Sequence, residues 1–213
     1  MTNTAILYKL TDQKWYTRNG FPNATKWGPG VEHSAIGPEN GPLCSDSWIH
    51  AYTDPLLAVL FNPIHADIDN PLMWEAEGEI RKQDGFKAGC RTLKTIRLID
   101  IPVISVPQRV AFAILCAQQT DYSDDKWLQW ADEWLSGRDR SEATACAAMQ
   151  ATAHAAANGA YAANAAHTAA HTAANATAHA AAYAALAANA ANYAVKIKHL
   201  DFVDIARRAT EQK

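Results

Sequence analysis

The segment Cys44-Ser45-Asp46-Ser47-Trp48-Ile49-His50 places a thiol, two hydroxyls, a carboxylate and an imidazole within seven residues. A cysteine and a histidine brought together by a fold make a nucleophile and its base, so Cys44 and His50 are a candidate pair for covalent chemistry. The sequence has no Gly-x-Ser-x-Gly turn to lift a serine out of a sheet, and burial as a small apolar group is the commoner role of a free cysteine. Cys44 and His50 are therefore read as ligand contacts, together with Trp27 and His33 from the loop around Trp27-Gly28-Pro29-Gly30. Glu75, Glu77 and Glu79 recur at every second position. On a strand they share one face, either as a carboxylate row or, the favoured reading, as the solvent side of a half-buried sheet. His167 and His171 lie four apart, with His179 two turns further on. Two imidazoles at that spacing can reach one ion, but no carboxylate or cysteine nearby completes a ligand set, so no metal is assigned. No cofactor is assigned either, since the dinucleotide, P-loop, HExxH and kinase signatures are missing from the sequence.

These groups need elements to hold them. Residues 5–10 and 14–18 read as short strands of a hairpin around Thr11-Asp12-Gln13. The stretch 19–42 is a long loop rich in Gly, Pro and Asn. Residues 47–52 are extended and carry His50 and Tyr52. Asp54-Pro55 supplies an N-cap followed by proline at the first helical position, and Asn62-Pro63 ends the apolar run behind it. From Leu72 to Ile80 strict alternation sets Leu72, Trp74, Ala76, Gly78 and Ile80 against Met73 and the three glutamates. Asp84-Gly85 marks a turn before a strand at 91–101, and these strands belong to one antiparallel sheet. Two helices follow, at 107–119 and from a Ser123 or Asp124 cap to Gly137, the second with Trp127, Trp130 and Trp134 on one face.

The composition then changes. Apolar residues make up 49% of the 213 positions, yet alanine fills 30 of the 54 positions from 141 to 194. No charged residue lies between 143 and 195, and all seven tryptophans precede the tract. The expected fold is α+β: a domain at 1–140 with a small, mainly antiparallel sheet and helices, a long alanine-rich helical region at 141–195, and a charged helix at 196–213. The larger residues of the tract recur about every 3.5 positions, a helical period, and Asn158-Gly159 is the expected break. Its stripe of His167, His171, Asn175, His179, Tyr183 and Leu186 stands among methyl groups that permit close helix contact, so these residues are assigned to homo-oligomerisation.

Of 19 basic and 22 acidic residues, positions 1–142 hold 14 and 19. An acidic body without a basic stripe argues against direct nucleic-acid binding, while an anionic small molecule at a local site stays open. The four cysteines form no CxxC and the start has no leader-like pattern, which places reduced thiols in a cytosol. The histidines and asparagines of the alanine tract make membrane insertion costly, so no membrane partner is expected.

The Trp-Gly loop, the segment Leu43-Cys44-Ser45-Asp46-Ser47-Trp48-Ile49-His50-Ala51, the strand Leu72-Met73-Trp74-Glu75-Ala76-Glu77-Gly78-Glu79 and the alanine-rich C-terminus together resemble a family of uncharacterised proteins of bacteriophages and phage-bearing bacterial genomes. The resemblance implies a phage setting in the host cell cytosol and an accessory protein acting by binding, which inhibits a host defence by sequestering a host protein or a signal nucleotide. His50, Tyr52 and one of Glu75, Glu77 or Glu79 also resemble the site of small ADP-ribosyltransferase-like domains, which implies the alternative of an enzyme. A virion component is a third expectation. Binding is favoured over catalysis.

Overall fold

Alternation shapes the first strand, Thr4–Thr11 (β1), where Leu7 is fully buried between half-buried or exposed neighbours. The computed structural model describes residues 4–157, 161–174, 180–195 and 200–212. They fall into two compact units, Met1–Val103 and Ile104–Lys213. The structure is α+β.

In the first unit, Tyr16–Thr17 (β2) and Thr25–Lys26 (β3) form a small separate ladder. Glu32–Ser34 (β4) and Ile49–Tyr52 (β5) lie along one side of the long strand Lys87–Ile99 (β7), whose other side pairs with Leu72–Gln83 (β6). β1 joins β5 to β6, every pairing is antiparallel, and β1, β5, β7 and β6 therefore close into a small barrel. Register shifts at three places between β6 and β7 bend these long strands enough to close the ring. The β6–β7 turn needs the left-handed backbone of Gly85, at φ +88. A four-stranded lumen is narrow, and it is lined accordingly by Ala51, Ala76, Ala88 and Cys90, with Leu7, Leu93 and Trp27 filling the rest. At Gly78 a Cβ would stand 2.9 Å from the Thr92 carbonyl oxygen, so only glycine lets β6 and β7 approach there.

Two local expectations are corrected. Residues 5–10 and 14–18 do not form a hairpin ladder. The Asp12 turn is present, its carboxylate accepting from the amides of Lys14 and Tyr16, but β1 gives its ladder to β5 and β6. The helix Pro55–His65 (α1) is capped by Asp54 as the sequence suggests, yet it runs through Pro63 rather than ending there. Proline removes one N–H at that point, and Asn62 closes the end instead by pairing with both backbone groups of Ile68.

The second unit is built around Val106–Ala117 (α2), whose residues from Val110 to Ala117 are all buried. A capping box between Ser105 and Gln108 starts it. Asp124 caps Asp125–Leu135 (α3), which buries Trp127, Trp130 and Trp134 as the spacing predicts. Among its described residues the alanine-rich region holds three helices, Glu142–Ala157 (α4), Tyr161–Ala174 (α5) and Ala180–Ala194 (α6), where the sequence suggests a single break. α5 packs on α4 and α6, and both α5 and α6 pack on α2. Phe202–Thr210 (α7) also rests on α2, with Gln108 Nε2 donating to the Thr210 carbonyl at 2.8 Å. The division between compact units thus lies at Val103/Ile104, not at residue 140 where the composition changes, because α2 belongs with the alanine helices it packs against. The expected break at Asn158-Gly159 and the start of the charged tail at 196–199 lie outside the described residues. No helix among the described residues is long and apolar enough to cross a membrane.

Candidate functional site

A cavity of about 160 Å³ lies in the first unit, at the end where β1 leads into its turn. Its wall comes from five places. Lys9 and Leu10 belong to β1, Thr17 and Arg18 to the end of β2, His50 and Tyr52 to β5, and Lys87 to the start of β7. His65, Ala66 and Ile68 come from the end of α1 and the loop after it. Three cations and two imidazoles line the cavity, and no carboxylate is among the lining residues.

Lys9 follows Leu7 on the inward face. Its Nζ lies 5.3 Å from the centre of the Trp27 ring and donates to the His50 carbonyl oxygen at 2.6 Å. Burial lowers its pKa to about 8, with Arg18 pushing the same way and Cys90 opposing. His50 donates from Nε2 to the Leu43 carbonyl, and burial holds its pKa below the usual histidine value. His65 stacks against Tyr52 and Phe61, with ring centres 6.1 and 5.5 Å away, and Phe86 lies 6.0 Å off. That apolar setting pulls its pKa down to about 4, so it is neutral near pH 7. Burial pushes the Tyr52 hydroxyl up, so it stays protonated. Lys87 sits 3.3 Å from Cys44 Sγ and 3.9 Å from Asp84.

The loops at the rim carry backbone strain. Trp15, Arg18, Asp67 and Asn70 adopt left-handed conformations without being glycine. A left-handed turn costs a side-chain-bearing residue roughly 1–2 kcal/mol, and such residues gather where function fixes a loop. Gln13 Nε2 donates to the Asn70 carbonyl at 2.6 Å and ties the two loops together.

The chain matches no known protein family, no curated protein and no solved structure.

The residues singled out in the sequence separate into groups. His50 and Tyr52 line the cavity, and Cys44 reaches its edge through Lys87. Trp27 and His33 do not line it. Trp27 is 2% exposed within the barrel core, donates to Thr17 Oγ1 and packs edge-on against His33. Glu75 forms a two-pronged pair with Arg97 at 2.9 and 3.1 Å, which holds its carboxyl below the usual range. Glu77 lies 3.8 Å from Lys94, and Glu79 lies 2.9 Å from Arg81. The glutamates thus stand on the outer face of β6, opposite inward-facing Ala76 and Gly78. The register Tyr52–Tyr8–Glu75 leaves only β1 between the tyrosine and Glu75.

In the second unit His167 works within the chain, its Nδ1 donating to the Met149 carbonyl of α4 at 3.0 Å and lying 3.1 Å from Thr152 Oγ1. His171 packs on Tyr183 at 4.2 Å, joining α5 to α6. Leu186 is exposed. Asn175 and His179 lie outside the described residues. Lys9, Arg18, His65 and Lys87 are the site residues that sequence reasoning missed. Lys9 carried a signal, being a cation at an inward-facing position of an otherwise apolar strand, whereas the others come together only through the barrel's closure.

Proposed function

We propose that this is a phage-type accessory protein that acts by binding, and that the barrel-mouth cavity takes a small anionic ligand of the signal-nucleotide class, withholding it from a host defence system. The observation that carries this reading is the cavity wall of Lys9, Arg18, Lys87, His50 and His65 with no carboxylate among the lining residues. Guanidinium and ammonium donors in a partly desolvated site suit phosphate, and the flat edges of Tyr52 and His65 suit a ring beside it. At about 30 Å³ per water the cavity holds roughly five waters, which suits a phosphate and part of the ring beside it rather than a whole dinucleotide. The phage setting comes from the resemblance of the segments around Cys44 and Glu75. Tyr161, Leu186 and Tyr193, exposed on α5 and α6, supply the face through which copies would associate.

Calorimetric titration of the full chain with nucleoside monophosphates and cyclic mononucleotides tests the reading. Binding that weakens with salt and falls about tenfold in Arg18→Gln is expected, against no binding of the parent nucleosides. Equal binding of nucleotide and nucleoside would sink it.

A second reading, an ADP-ribosyltransferase-like enzyme, is favoured by the register that sets Tyr52 and Glu75 one strand apart. Against it, Arg97 already engages both oxygens of Glu75. Incubation with NAD and cell extract separates the two, since label transfer that is lost in Glu75→Gln would favour the enzyme.

A further inference from the structure

Lys9 differs from the other lysine of the cavity wall. Lys87 has Asp84 beside it at 3.9 Å. Lys9 has no carboxylate within ion-pair distance among the described residues, and its hydrogen bond goes to a neutral carbonyl oxygen. Its amine lies 5.3 Å from the centre of the Trp27 ring, and Lys9 lines the cavity that Arg18 also lines. An amine that is desolvated and set beside a second cation gives up its proton more readily, and the free amine is the form that attacks carbonyl carbon.

We propose that Lys9 is an imine-forming residue, condensing reversibly with small aldehydes or ketones that carry a phosphate or carboxylate. The anionic group lies against Arg18 and Lys87, a placement that rests on the reading of the cavity wall as an anion site. The neutral amine adds its electron pair to the carbonyl carbon, and the carbonyl oxygen takes up a proton. The resulting carbinolamine loses that oxygen as water while the remaining amine proton leaves nitrogen, and a C=N bond is formed. Nothing is oxidised or reduced. His65 lines the same cavity in its neutral form, and its Nδ1 is buried with no hydrogen-bond partner among the described residues.

The groups facing Lys9 are Arg18, His50, Tyr52, His65, Lys87 and, behind it, Cys90, whose thiol burial pushes up to about 11. With Lys9 itself at about 8, imine formation should reach half its plateau near pH 8, where ordinary lysines are still almost wholly protonated.

The test uses the full chain with pyridoxal 5′-phosphate as probe, reduction by borohydride and peptide mapping across the ten lysines. Adduct concentrated at Lys9 is expected, about tenfold weaker with pyridoxal, which lacks the phosphate. Lys9→Arg, with its folding checked by circular dichroism, should lose that adduct. Pyridoxine 5′-phosphate, an alcohol in place of the aldehyde, should compete without being trapped. Label spread over surface lysines, or unchanged in Lys9→Arg, would overturn the imine. Competition by pyridoxine phosphate with no trapping at Lys9 overturns the imine alone and leaves the anion site standing. Trapping at Lys9 that pyridoxine phosphate does not compete with overturns the anion site instead.

Discussion

The Lys9 ammonium and the His50 carbonyl oxygen meet at 2.6 Å, fastening β1 to β5 at the mouth of the barrel. The bond holds a cation where water is scarce, and that has a consequence for stability. In the unfolded chain Lys9 titrates near 10.5, and in the folded chain near 8. Between those values the unfolded state binds the extra proton, so the lysine's contribution to stability rises with pH, by at most about 3 kcal/mol. Lys9→Met keeps most of the stem and removes the titration. Its advantage over the parent in urea unfolding should shrink steadily from pH 8 to 10.5, and a constant difference would show that the ammonium is not desolvated.

His65 gives the opposite window. Its folded pKa of about 4 lies below the ordinary histidine value of 6.5, because Tyr52, Phe61 and Phe86 surround the ring. The stability it contributes is complete above pH 6.5 and is lost as pH falls through 4. His65→Phe fills the same stack without a proton to gain. Acid unfolding followed by tryptophan fluorescence should therefore have a lower midpoint in the variant.

Local chemistry was legible in the sequence where a single element decides it. The alternation around Trp74, the Asp54 cap with Pro55 and the tryptophan face of α3 all rest on contacts within a few residues, and the fold keeps them. The hairpin expectation failed because strand pairing is a long-range choice. β1 has two hydrogen-bonding edges, and it gives them to β5 and β6, which the sequence supplies only forty or more residues later. The cavity escaped for the same reason: Arg18, His65 and Lys87 are far apart in sequence and share no motif. Alanine also hid the number of helices, since a methyl-rich tract looks helical throughout and gives few signs of where it turns.

Trp74 and Thr11 form a further buried relationship between β6 and β1. The indole Nε1 donates to Thr11 Oγ1 at 3.0 Å, and both residues are fully buried. Thr11→Val keeps the shape but leaves the indole N–H with nothing to donate to, a loss of about 1–3 kcal/mol. Thr11→Ser keeps the hydroxyl and should recover part of it. If valine costs nothing while serine does, the methyl group matters and the hydrogen bond does not.

The alanine helices make two predictions that pull apart packing within the chain from association between chains. Ala170 on α5 is fully buried, where α5 meets its neighbouring helices. Ala170→Leu adds three carbons to a face with no space for them and should cost about 1–3 kcal/mol or more in thermal or urea unfolding. Leu186 and Tyr193 on α6 are exposed, so replacing both with alanine should leave that unfolding within about 0.5 kcal/mol per site. If the exposed face joins copies of the chain, the same double variant should sediment more slowly than the parent at high concentration while keeping the parent's circular dichroism. Sedimentation that is identical for parent and variant, and fits a monomer in both, would mean that the alanine tract serves packing within one chain alone.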